Sequence, residues 1–459
     1  MTSHPQPSSP WIAGRPLWVL MALTVMLLAA SGRLEPSITR DTASYLVSGS
    51  WSQLLVAPRH PLYGALVGAL GHLPGALHIW VPALQTTVYL LAVGLWFAAC
   101  LRAGLGRRAG LALSLPLVLA NLVILWNNAV HPELLAAAFV LLAMGAVLDL
   151  ATGEARRAHR PLVQLGVGLG LAYLLRPANL PLALTLPLLV LLLSRLLSRR
   201  WRPGLALAAL GAASLPFVMM ASVRLASVGH FHIVSFGGFA MAGMAGQMLD
   251  SGMVERLDED LRPLALAIVE GRDALVARNE ALAVPLNSRG QRDFNSMAFG
   301  YFDIVARNYD SVLFGVVLKQ RNAGESWVDF DRRMQHFTIA VLRAAPQRYA
   351  VWLVGASTRA TGRLLVTGAA FVAASLALVF LYPAWLMAGR ARVYAPPAPP
   401  DIGLHAMLLI VACYTLSNLV PAVAVTFPAA RYIDTAGLFI AALPIYALMR
   451  LLADLKHRH

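Results

Sequence analysis

A chain of 459 residues is long enough for two or three soluble domains, but 58% of its residues are hydrophobic and only 13% charged, about half the charge of a water-wetted surface. Its net charge of +15 does not point to nucleic acid, because the arginines stand in short clusters between apolar runs, the pattern of cytoplasmic loops. The two cysteines, Cys100 and Cys413, lie inside apolar runs and exclude a disulfide framework.

The apolar runs are about 20 residues long, the length that spans a bilayer core. They predict an all-α polytopic membrane protein with about ten transmembrane helices. Residues 1–15 open it with a polar, Pro/Ser-rich stretch expected to be disordered and cytoplasmic. The first apolar run, 16–32, shows no clear small-residue cleavage site and reads as a retained helix, not a removed signal peptide. A long first outer loop, 33–77, follows. Within it, 41–56 can form an amphipathic helix lying in the interface, with Tyr45 and Trp51 at headgroup depth. Further spans are expected at 78–100, 110–126, 133–150, 162–176, 179–195 and 204–225. Arg176-Pro177 separates the fifth and sixth, since the residue before a proline avoids the helical region.

Residues 226–350 differ in composition. They hold 14 of the chain's 22 acidic residues, matched by a similar number of Arg and Lys. Balanced charge of that density predicts a solvated, mostly helical extracytoplasmic subdomain, with helices over 254–283 and 327–345. Its Gly/Ala/Met-rich start, 236–248, is expected to lie against the membrane. The C-terminal part, 351–459, supplies spans at 364–388, 402–422 and 432–453 and a short tail. No internal repeat is evident, so an inverted-repeat transporter gains no support.

Orientation follows from the arginines. With the N-terminus in the cytoplasm, the inner loops hold Arg102, Arg107 and Arg108; Arg156, Arg157 and Arg160; Arg195, Arg199, Arg200 and Arg202; Arg390 and Arg392; and Lys456 and Arg458. The positive-inside rule is then met at every cytoplasmic loop. Both termini are expected in the cytoplasm of a cell whose inner membrane, bacterial by this reading, holds the protein.

That topology brings a set of chemistry-bearing residues to one outer face. The first outer loop carries Arg40-Asp41-Thr42-Ala43-Ser44-Tyr45 and Arg59-His60-Pro61-Leu62-Tyr63. The third and fourth spans meet at His131-Pro132-Glu133, and Arg176 and Arg431 stand at outer helix ends. Each has an ordinary structural explanation. Asp41 fits a helix N-cap, Glu133 a first-turn acid, and the two arginines fit snorkelling anchors. Together, carboxylates beside arginines at a membrane surface suit group transfer from a lipid phosphate.

In their order, these stretches resemble the GT-C glycosyltransferases, in particular the protein mannosyltransferase and lipid A aminoarabinose transferase branch. The resemblance rests on Arg40-Asp41-Thr42-Ala43-Ser44-Tyr45 after the first span, on Arg59-His60-Pro61-Leu62-Tyr63 and on His131-Pro132-Glu133. It also rests on the Gly-rich run 166–177 ending Leu175-Arg176-Pro177, and on Arg431-Tyr432 before the last span. It implies an inverting transfer from a polyprenyl-phosphate sugar, with membrane lipids around it, to a lipid, glycan or protein acceptor. Asp41 would be the base. Arg59, Arg176 and Arg431 would hold the phosphate, and Arg40, Tyr45, His60, His131, Glu133 and Tyr432 would line the site. The family often shows Asp-Glu where this chain has Asp41-Thr42; the missing acid leans against a divalent metal, and no cofactor is expected. A transporter or flippase of lipid-linked substrates, and a non-catalytic partner in glycan assembly, are the alternatives.

Overall fold

The structure, a computed structural model, describes residues 14–38, 41–47, 55–57, 59, 62–74, 80–124, 127–278, 309–381, 400–425 and 430–458. It is all-α: among the described residues the extended chain pairs only at an isolated parallel bridge between Ser37 and Ala129. The first half comprises α1 (Arg15–Ala30), α2 (Thr42–Val47), α3 (Leu62–Leu70), α4 (Trp80–Arg102), α5 (Gly106–Val123), α6 (Glu133–Thr152), α7 (His159–Leu175), α8 (Leu182–Leu197) and α9 (Pro203–Val228). Prolines stand in the first turn of α1 and α9, where the missing N–H costs no hydrogen bond. Gly229, at φ 67°, ends α9 in the left-handed conformation, which glycine adopts without strain.

Among the described residues, five helices are long and apolar enough to cross a membrane: Trp80–Arg102, Glu133–Thr152, Pro177–Leu197, Pro203–Val228 and Ile402–Ala424. Arg15–Ala30 and Ala442–Leu451 are shorter apolar helices. The chain is therefore a helical membrane protein. The same helices leave Leu91, Leu95, Leu184 and Leu207 exposed, the side chains a bilayer would solvate.

The centre of the bundle is α6, which is buried along almost its whole length and packs against α4, α7 and α8. Between helices in lipid there is no hydrophobic driving force, so close packing of small residues must supply the contact. Here α7 provides it. A Cβ on Gly168 would meet the Phe139 carbonyl of α6 at 3.0 Å, and one on Gly166 the Ala212 carbonyl of α9 at 3.0 Å. At one end of the bundle Arg102 forms a two-pronged ion pair with Asp149 (3.2 and 2.8 Å), and Arg202 donates to the Gly153 carbonyl. The chemistry-bearing residues gather at the opposite end.

Beyond α9 come α10 (Gly237–Met248), α11 (Ser251–Val254), α12 (Arg262–Arg278) and α13 (Trp327–Ala344), then α14 (Pro346–Leu381), α15 (Pro400–Ala424), α16 (Ala430–Ala436) and α17 (Ala442–Arg458). The stretch expected against the membrane, 236–248, instead forms the buried α10. Phe239, Met244 and Met248 pack there with Phe330, Met334 and Phe337 of α13, because apolar side chains in a charged segment find their cover in that segment's own core. The expected helix over 254–283 is interrupted: α12 begins at Arg262, with Pro263 in its first turn. The core of the segment 226–350 runs on into Trp352, Ala356 and Ala360 of α14 and Ile433 and Ala436 of α16. At 36 residues α14 is about 54 Å long, against about 30 Å for a bilayer core. The expected span start, 364, thus falls in mid-helix, since hydropathy marks only the apolar part of a continuous helix.

Candidate functional site

Asp41 stands directly before α2, its carbonyl accepting from Ser44 N (3.0 Å) and Tyr45 N (3.3 Å). Its carboxylate lies 3.7 Å from the Arg59 guanidinium. That guanidinium sits between two rings, Tyr45 at 4.9 Å and Phe236 at 4.4 Å. A cation over an aromatic face is held by the ring quadrupole, so two separate parts of the chain fix Arg59 beside Asp41. Tyr45 is buried edge-on against Tyr63, with ring centroids 5.6 Å apart. It is packed inside the protein, because α3 folds back over α2.

Backbone and amide bonds pin this loop to the entrance of α6. Ser37 N donates to Asn128 O (2.7 Å) and Val130 N to Ser37 O (3.1 Å). Thr42 Oγ1 donates to Val130 O (3.2 Å), and Asn127 Nδ2 to Arg33 O (2.6 Å). Gln85 of α4 accepts from Tyr63 OH (2.9 Å) and donates to Ala129 O (3.0 Å). Behind this lattice lie His131 and Glu133, 6% and 3% exposed. His131 Nδ1 is 2.5 Å from Glu133 Oε2 but not aligned with it as a hydrogen bond. Burial, and after it the Glu133 charge, pushes the Tyr63 phenol well up, so Tyr63 acts as a hydrogen-bond donor. Glu133 opens α6, where the helix dipole favours a negative charge.

Arg176 caps the end of α7 and is 8% exposed. Its guanidinium donates to Thr435 Oγ1 at 2.9 Å and faces the Tyr432 ring at 5.3 Å. Among the described residues no carboxylate lies within ion-pair reach of it. The neighbouring Asp434 is taken by Arg363 (2.8 Å on each oxygen) and Thr367 (2.6 Å). Leu175 packs in the same cluster as Tyr45, Tyr63 and Leu135, which sets the Arg176 group beside the Asp41 group; no direct bond between Arg176 and Asp41 is formed.

The structure thus brings Asp41, Tyr45 and Arg59 together, His131 with Glu133, and Arg176 with Tyr432. Arg40, His60 and the Arg431 side chain lie outside the described residues; the Arg431 backbone belongs to the first turn of α16. Sequence reasoning missed Phe236, Thr435 and Arg224. Of these, only Arg224 left a signal, an arginine inside an apolar run, which is costly in a membrane and so marks a built site. Among the described residues no three His, Cys, Asp or Glu side chains gather as a metal-holding group. No protein-family model, curated protein or solved structure matches the chain.

Proposed function

We propose that this protein is a membrane glycosyltransferase of the GT-C type, which moves a sugar from a polyprenyl-phosphate donor to an acceptor on the outer face of a bacterial inner membrane. In this reading ten helices cross the bilayer (α1, α4 to α9, α14, α15 and α17), and both termini are cytoplasmic. The observation that carries it is Arg176: a guanidinium 8% exposed, bonded to a neutral threonine and a ring face. An arginine kept among helices costs about 2.5–3.5 kcal/mol on insertion scales and is retained for a partner. The phosphate of a lipid donor is such a partner, and it arrives from the bilayer side.

The reaction then runs in one displacement. The Asp41 carboxylate takes the proton of the acceptor hydroxyl while that oxygen bonds to the anomeric carbon. The bond from that carbon to the phosphate oxygen breaks, and lipid phosphate leaves with the electron pair and with inversion at the sugar. Arg176 and Arg59 face the charge that develops on the leaving phosphate, an electrostatic stabilisation that acts most strongly away from water. The test is a thermal-shift and transfer assay of purified protein with a panel of polyprenyl-phosphate sugars. Stabilisation by one donor with release of lipid phosphate supports the reading; no response to any donor or to bare polyprenyl phosphate sinks it.

A further inference from the structure

Arg224 lies near the end of α9, fully buried, and takes no part in the reaction above. One arm of its guanidinium donates to the Leu55 carbonyl in the first outer loop. The other donates to Ser235 Oγ at 2.6 Å. The Ser235 hydroxyl also meets His230 Nδ1 at 3.3 Å.

The two acceptors are placed tellingly. Leu55 leads along the loop to Arg59, and Ser235 is the residue before Phe236, whose ring covers Arg59. A single guanidinium therefore holds both walls of the slot in which Arg59 sits: the backbone that delivers it and the residue that covers it. A planar fork with fixed donors can bridge two such acceptors at once, which an ammonium point charge does poorly. We infer that Arg224 is a positioning residue, which ties the first outer loop to the start of the outer segment and so fixes Arg59 beside Asp41. Its consequence for catalysis rests on the glycosyltransferase reading; the clamp itself does not.

The test uses full-length protein in nanodiscs. Arg224→Met keeps the volume and lets an apolar side chain replace a buried charge, a change helix packing tolerates. Hydrogen exchange is read in peptides covering 55–59 and 229–239, with peptides of α6 as the internal reference. We expect both segments of Arg224→Met to exchange about tenfold faster or more, the effect of losing a charge-assisted hydrogen bond, while α6 is unchanged. Where donor transfer is measurable, kcat should fall further than KM rises, and Arg224→Lys should restore less than half of the loss. Unchanged exchange in either segment overturns the clamp. If Arg224→Met does not fold, Ser235→Ala decides, since it removes one arm and leaves the bond to Leu55: loosening of 229–239 supports the clamp, and no change there overturns it. Absence of transfer by the unaltered protein would remove the enzyme reading and leave the exchange result to judge Arg224.

Discussion

Arg176 Nη1 donates to Thr435 Oγ1 at 2.9 Å, which joins the end of α7 to α16 across most of the chain. The bond spends only one of the five guanidinium donors, and Tyr432 covers the face at 5.3 Å. A phosphate approaching this group meets donors already oriented. Arg176→Ala should weaken binding of bare polyprenyl phosphate by about 10- to 100-fold, the range for hydrogen bonds to a charged group, as read by thermal-shift titration. Thr435→Val should weaken it less, because the cation remains. Equal binding in Arg176→Ala and unaltered protein would place the phosphate elsewhere.

Asp41 and Arg59 yield the second prediction. Their 3.7 Å contact, with side chains 21% and 18% exposed, is a partly solvated pair, worth no more than about 1 kcal/mol. Asp41→Asn should therefore leave the melting temperature nearly unchanged. Loss of a general base costs about 10²- to 10⁴-fold in rate, so transfer should fall by that factor with donor binding retained. Full activity in Asp41→Asn would take the base role from this residue.

Three titratable groups of the segment 226–350, the buried Asp331 and His230 and the more exposed His232, give opposite pH dependences. Burial pushes the Asp331 carboxyl up from 3.8 to about 6, although the Phe239 and Gly238 N–H groups and the Arg224 charge pull it down. The folded state keeps that proton after the unfolded state has lost it, so stability falls as pH rises from about 4 to 6. Burial, then His232, Arg224 and Arg332, pushes His230 down from 6.5 to about 4, and His232 is lowered by burial and Arg224. The unfolded state binds those protons first, so stability rises with pH over about 4 to 6.5. In the unaltered protein the two effects offset. Asp331→Asn should make the melting temperature climb more steeply over this window. The double variant His230→Gln, His232→Gln should make it climb less or fall. Profiles parallel to that of the unaltered protein would show that none of these groups titrates as described.

What the sequence disclosed divides along physical lines. Apolar length marked the helices that can cross a bilayer, and Arg176-Pro177 marked the break between α7 and α8, because both are local properties of the chain. Proximity of Asp41 to Arg59 was legible only as membership of one loop. The ring that covers Arg59 was not legible, since Phe236 belongs to a Gly/Ala/Met-rich stretch that reads as membrane-facing until α13 is seen to bury it. Arg224 was absorbed into the end of an apolar run. Its partners Leu55 and Ser235 are ordinary loop residues whose role exists only once the segments meet. The continuity of α14 across residue 364 escaped for a similar reason: hydropathy marks only the apolar part of a helix, not where the helix itself begins.

The contact between α10 and α13 supplies a last, sharper prediction. A Cβ on Gly238 would stand 2.1 Å from the Asp331 carbonyl oxygen and 2.7 Å from Gln335 N. Both are backbone atoms of α13, so no side-chain rotation can make room and the two helices must part. The Phe239 N–H bond to Asp331 Oδ1, 2.9 Å long, stretches with them. Overpacking of this kind costs about 1–3 kcal/mol, occasionally more, and Gly238→Ala should lower the melting temperature accordingly. Because α10 begins directly after Phe236, the same shift should draw that ring off Arg59 and reduce transfer beyond what stability alone explains. Gly237→Ala is the control. A Cβ there meets nothing within 4 Å, and a surface-like substitution of that sort stays within about 0.5 kcal/mol. Equal stability of the two alanine variants would mean that α10 does not pack on α13 as closely as the structure has it.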